Sequence, residues 1–142
     1  MTTTSTPHIS KEMLPALYAV AYEFYRNGKY TNGKTLFHLL TIADPFDHRF
    51  WIGLGACYQM LKNYQAAITA YSAAAIQSSN DPYIHLHAAE CLFHTGDLTR
   101  ALQALDSSLI IAKETNNHDL LIEKLELLHN TWSALQHGDS HA

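Results

Sequence analysis

Apolar positions along the chain recur at the spacing of helices rather than strands. Polar breakers divide them into pairs: "NGK" at 27–29, "DP" at 44–45, "SSNDP" at 78–82 and "TGD" at 95–97. The pattern predicts helices over 14–27 and 30–43, 48–61 and 64–78, and 82–94 and 98–113, joined as three hairpins. Asp81 before Pro82 reads as an N-cap followed by the favoured first helical residue. Asn63 and Asp97 are expected to cap the second helices of their hairpins. After "ETNN" at 114–117, a last helix over 118–136 carries Leu120, Leu121, Leu125, Leu128, Trp132 and Leu135. These form one amphipathic stripe, suited to covering the open end of a stack. The polar ends, 1–12 and 137–142, are expected to be disordered.

The hairpins repeat. "HAAECLFHTGDL" (His87 to Leu98) aligns 34 positions back on "GLGACYQMLKNY" and again on "AVAYEFYRNGKY". Cys91 then lies on Cys57, Ala89 on Gly55 and Ala21, Leu92 on Tyr58 and Phe24, and Leu98 on Tyr64 and Tyr30. Ala101 matches Ala67 and Gly33, and Leu105 matches Tyr71 and Phe37. Such a period, with small residues where two helices cross and large ones between hairpins, is the tetratricopeptide pattern. The expected fold is all-α: three tetratricopeptide hairpins (about 14–47, 48–81 and 82–115) in a superhelical array with a C-terminal capping helix, one domain over 13–136.

Composition narrows the function classes. Hydrophobic residues make up 47% and charged residues 15%, as in a globular domain, and the net charge of −4 with no Lys/Arg cluster argues against nucleic-acid binding. Glu23, Lys62 and Glu90 interrupt the apolar runs before they could span a bilayer, so no direct membrane insertion is expected. "MTTTSTPHISKE" lacks the pattern of a signal peptide, and two cysteines make no disulfide framework. Both features fit a cytoplasmic location.

His87, Cys91 and His94 fall at i, i+4 and i+7 of one helix, and Glu90 lies beside them. Imidazole, thiolate and carboxylate are zinc ligands, so a metal-binding regulator is one reading. The repeat favours another: the equivalent positions are Gly53, Cys57 and Met60, which supply no matching ligands, and Cys91 stands where a packing residue belongs. No metal and no cofactor are expected. There is no glycine-rich phosphate loop, no G-x-S-x-G and no H-E-x-x-H, and the chain reads as a non-enzyme.

A partner-binding surface is the better candidate. The first helix of each hairpin lines the concave side of such an array. In the first, Leu17, Val20, Ala21 and Phe24 take the packing positions, and Tyr18, Tyr22 and Tyr25 form a second stripe facing the groove. The same register picks Arg49, Ile52, Ala56, Gln59 and Met60, then Tyr83, Leu86, Glu90, Phe93 and His94. The expected peptide-binding residues are Tyr18, Tyr22, Tyr25, Ile52, Gln59, Tyr83, Leu86, Glu90 and Phe93. Tyrosine offers rigid apolar area with a water-tolerant hydroxyl, and the few charges favour an extended apolar peptide over a terminal carboxylate. A general scaffold docking folded partners is the alternative.

The segments "LYAVAYEFYRNGKY", "LFHLLTIADPFDHRFWIGLGACYQ", "AAITAYSAAAI" and "DPYIHLHAAECLFHTGD" together resemble the class II chaperones of bacterial type III secretion systems, from about residue 12 to 112. The resemblance implies a cytoplasmic chaperone, associated with virulence. It would hold the N-terminal extended segment of a hydrophobic pore-forming translocator in its groove and keep it soluble until secretion. It also implies that Tyr18, Tyr22 and Tyr25 stand at the groove-lining aromatic positions. Family members carry a longer arm before the first repeat that contributes to homodimerisation. About a dozen residues precede the first helix here, a departure that leaves a homodimer open.

Overall fold

A computed structural model describes residues 9–78 and 80–138. After a single 3-10 turn, Lys11–Met13, seven helices follow: α1 (Leu14–Arg26), α2 (Tyr30–Ala43), α3 (His48–Met60), α4 (Tyr64–Gln77), α5 (Pro82–His94), α6 (Leu98–Glu114) and α7 (Asp119–Gly138). Each packs on the next, and α1 also reaches α3. The expected disorder of 1–12 and 137–142 stops short at both ends. Ile9 packs on the first hairpin and α7 runs to Gly138, while residues 1–8 and 139–142 lie outside the described residues.

The breakers act through specific hydrogen bonds. Asp47, Asp81, Asn63 and Asp97 accept from the backbone N–H of Arg49, Tyr83, Ala66 and Arg100, capping α3, α5, α4 and α6. The turns inside the three hairpins are built alike. Gly28, Lys62 and Gly96, each 34 residues apart, have φ of 76°, 63° and 85°. In each, the N–H of that residue donates to the carbonyl three back (Tyr25, Gln59, Phe93) and the next N–H to the carbonyl five back (Phe24, Tyr58, Leu92). That is the Schellman closure, and it requires the left-handed region that glycine enters without strain.

Packing follows the same period. Ala21, Gly55 and Ala89 are buried, and so are Gly33, Ala67 and Ala101, which lets paired helices approach closely. Phe37, Tyr71 and Leu105 fill the spaces so created. Cys57 and Cys91 are fully buried as packing residues, and Ser108 Oγ donates to the Pro82 carbonyl at 2.7 Å, tying α6 to the start of α5. The α7 cap buries Leu121, Leu125 and Trp132 against α5 and α6.

Three expected core positions differ. Val20 is 47% exposed, because α1 is apolar nearly all round and only the Leu17–Ala21 side meets α2. Leu120 and Leu135 are exposed on α7; the buried stripe runs Leu121, Leu125, Trp132, so Leu120 falls on the solvent side of the helix. No helix among the described residues is long and apolar enough to cross a membrane.

Candidate peptide-binding groove

Three first helices converge on a pocket of about 240 Å³. Tyr18, Tyr22 and Tyr25 enter from α1, Arg49, Ile52 and Ala56 from α3, and His87 from α5. Two rings from second helices, Phe37 and Tyr71, form its floor beside Gly53. These rings reach the floor because the helices above them carry glycines. A Cβ on Gly53 would lie 2.3 Å from the Phe37 ring, and one on Gly55 would lie 2.8 Å from the Tyr71 ring.

Tyr18 is the best anchored of the tyrosines. Its ring packs edge-on to Phe37 at 6.0 Å and against Phe50 at 5.7 Å, with the Arg49 guanidinium 5.0 Å over its face. Asp47 holds Arg49 in place at 2.7 and 3.0 Å. The Arg49 hydrogen bond, outweighing the effect of burial, keeps the Asp47 carboxyl below the usual range. Tyr22 stands 48% exposed at the pocket rim, its ring 6.3 Å from that of Tyr18. Burial raises the Tyr18 and Tyr25 hydroxyls above the ordinary phenol range, so both remain neutral hydrogen-bonding groups.

Toward the third hairpin the groove becomes polar. The Tyr71 hydroxyl donates to Gln59 Oε1 at 2.7 Å, Gln59 Nε2 donates to Glu90 Oε1 at 3.5 Å, and His87 Nδ1 lies 2.9 Å from the same oxygen. The His87 ring also stacks on Tyr71 at 5.7 Å. Burial drives the Tyr71 hydroxyl far above its ordinary value, leaving it a donor at any physiological pH.

Of the nine expected peptide-binding residues, Tyr18, Tyr22, Tyr25 and Ile52 line this one pocket, and Gln59 and Glu90 join it through Tyr71 and His87. Tyr83 is exposed at the start of α5, edge-on to His118. Phe93 is stacked on Trp132 at 4.5 Å and so is partly covered by α7. Leu86 requires correction: at 2% exposure it belongs to the core between α5, α6 and α7, and offers no surface to a ligand. Phe37, Gly53, Tyr71 and His87 were absent from the expected set. The signal for the first three was present as aromatic residues 34 apart facing glycines 53 and 55.

The candidate metal ligands do not converge. Cys91 is buried and its thiol is pushed up to about 12 by that burial; His94 stacks on Tyr64 at 4.7 Å, and His87 serves Glu90. Among the described residues no group of three His, Cys, Asp or Glu side chains is placed to hold a metal ion.

Hairpins of this geometry, repeated at this period, define a tetratricopeptide-repeat protein, and tetratricopeptide-repeat family models match residues 18–82 and 58–125. The structure resembles PcrH of Pseudomonas aeruginosa, solved in complex with the chaperone-binding region of PopD, with 32% identity and a TM-score of 0.87 over 90% of this chain and 96% of that one. It likewise resembles the Yersinia enterocolitica type III secretion chaperone SycD in complex with a peptide of the translocator YopD, with 31% identity and a TM-score of 0.85 over 89% of this chain and 97% of that one. In sequence it is 41% identical over 106 residues to low calcium response locus protein H of Yersinia pestis, covering 75% of this chain and 61% of the relative. The chain therefore spans about three fifths of the length of that curated relative. The chain belongs to the family of tetratricopeptide-repeat type III secretion translocator chaperones.

Proposed function

We propose that the chain is a cytoplasmic, non-enzymatic chaperone that binds an extended segment of a hydrophobic pore-forming translocator in its concave groove. The observation that carries this reading is the pocket itself. Three successive first helices contribute to it, its walls are mainly aromatic and apolar, and its polar groups are already positioned by partners inside the protein. A peptide laid across the hairpins would place alternate side chains in the pocket beside Tyr22 and Ile52, with Tyr, Gln59 and Glu90 available to its backbone. Holding a membrane-inserting client this way would cover apolar surface that otherwise drives association. The complexes of PcrH and SycD with translocator segments support the same reading.

Its test is co-expression with a translocator of the same bacterium. Wild type is expected to keep the client soluble. Tyr22→Ala should lose soluble client while its own melting temperature stays unchanged, since the ring is half exposed. If client recovery were unaffected, the groove would not be the binding surface.

One observation favours the scaffold reading as a second possibility. Ile42, Ile76 and Ile110, each 34 residues apart on the second helices, are all exposed. Docking there would be sensitive to Ile76→Asp and indifferent to Tyr22→Ala.

A further inference from the structure

The groove is not uniformly apolar, and its charges are unevenly answered. At the first-repeat end Arg49 is bound by Asp47 through Nε at 3.0 Å and Nη2 at 2.7 Å, so that pair brings no net charge. At the third-repeat end stands Glu90, half-buried, reached from the pocket through His87. Both of its close contacts, Gln59 Nε2 at 3.5 Å and His87 Nδ1 at 2.9 Å, fall on Oε1. Among the described residues no hydrogen bond reaches Oε2, and no Lys or Arg lies within ion-pair distance; Lys124 of α7 acts on Glu90 only from farther away. Burial works against its ionisation, but the hydrogen bond and charge of His87, with smaller help from Gln59 and Lys124, outweigh it and hold the carboxyl below its ordinary range. An anion therefore terminates an otherwise aromatic groove with only the ionisable His87 paired to one of its oxygens, while Oε2 takes no hydrogen bond among the described residues. A partly desolvated charge of this kind is completed by an opposite charge on the ligand.

We propose that Glu90 selects a lysine or arginine in the bound segment, whose cationic head meets Oε2 while neighbouring apolar residues occupy the pocket beside Tyr22 and Ile52. This rests on the groove reading above. The long stem of either residue can lie over Tyr71 and His87 while its head reaches the carboxylate. Because the anion lies at one end only, the basic residue also fixes the direction in which the extended segment runs. Charge complementarity then supplies specificity among apolar clients, which share the rest of the site.

The test uses the full chain and a fluorescein-labelled library of extended peptides of alternating Leu, Val and Ser. Each carries one Lys, one norleucine or one Glu at each position in turn, and binding is read by fluorescence anisotropy. At one position the Lys peptide is expected to bind wild type about tenfold more tightly than its norleucine counterpart, with Glu weaker than both. In Glu90→Gln, which keeps the shape, the Lys-to-norleucine ratio should fall to about one. In Glu90→Asp it should be intermediate, and in wild type it should shrink as salt rises. Melting curves confirm that both variants fold. Norleucine peptides that bind in a Tyr22-dependent manner with no Lys preference, or a preference that survives Glu90→Gln, would overturn the proposal and leave the groove reading standing. Binding insensitive to Tyr22→Ala would overturn both.

Discussion

The Gly53 position offers a quantitative check on how the groove is built. Its added Cβ would stand 2.3 Å from Phe37 Cε1 and 2.5 Å from Cδ1 and Cζ, whereas carbon atoms in contact prefer about 3.5–4.0 Å. The ring has to retreat by more than about 1 Å. Phe37 is 1% exposed and packs against Tyr18 in the pocket lining, so displacing its ring disturbs close-packed neighbours. Overpacking of this kind costs about 1–3 kcal/mol. Against that, replacing glycine by alanine within α3 gains about 1 kcal/mol of helix propensity. Gly53→Ala is therefore expected to destabilise by up to about 2 kcal/mol, a fall of up to roughly 8 °C in Tm for a domain of this size. Urea denaturation followed by circular dichroism measures it directly. The companion variant is Gly53→Ala/Phe37→Leu, in which the colliding ring edge is gone. The two substitutions should couple, with the double variant less destabilised than the sum of the singles. A stabilising Gly53→Ala, or strict additivity, would refute the argument that a glycine seats the Phe37 ring in the groove floor.

Other consequences follow from single residues. Lys62 is a non-glycine residue at φ 63°, where the equivalent positions hold Gly28 and Gly96; Lys62→Gly should raise stability by about 0.5–1 kcal/mol, the left-handed strain relieved less the entropy of glycine, read as a higher urea midpoint. Asp47→Ala removes the α3 cap and should cost about 1 kcal/mol at pH 7. Because the folded state holds Asp47 below the usual carboxylate range, that stability is present above about pH 4 and lost as the pH falls further, so wild type and variant should converge in acid. Trp132→Ala strips the α7 cap of a buried indole stacked on Phe93 and should cost about 3–5 kcal/mol in thermal melts. Burial raises Cys57 to about 11 and Cys91 to about 12, so neither thiol should react with an aromatic disulfide reagent at pH 8 until urea unfolds the chain. The same shifts make stability fall as the pH rises past the ordinary thiol value of about 8.5.

The helix ends were legible because the residues that set them act locally. A capping carboxylate at Asp81 or Asp97, or a glycine after α1 and α5, fixes a boundary through bonds spanning a few residues. The 34-residue period likewise exposed the small and large packing columns. Faces were harder to read. Helix α1 is apolar nearly all round, and on α5 Leu86 stands between His85 and His87, so periodicity does not tell that Val20 faces solvent or that Leu86 faces the core. On α7, Leu120 and Leu121 are adjacent, and only packing against α6 chooses between them. The repeat register assigns groove residues on first helices alone. The groove floor comes from second helices, because glycines 53 and 55 let Phe37 and Tyr71 through, a contact between elements that no single-helix pattern contains. The i, i+4, i+7 spacing with Cys91 and His94 offers His87 as a metal ligand, whereas in the fold it pairs with the Glu90 carboxylate one turn away.

On the proposed function, the concave surface at Tyr22 holds an extended segment of an apolar translocator. The most direct measurement places the photoreactive residue p-benzoylphenylalanine at position 22, irradiates the source bacterium, and maps the adduct by mass spectrometry. A parallel sample carries the same residue at position 76 on a second helix. The expected result is one adduct from position 22, on an extended stretch outside the apolar membrane-inserting helices of a translocator, and none on that protein from position 76. Adducts to a translocator from position 76 only, or to the same folded soluble proteins from both positions, would contradict it.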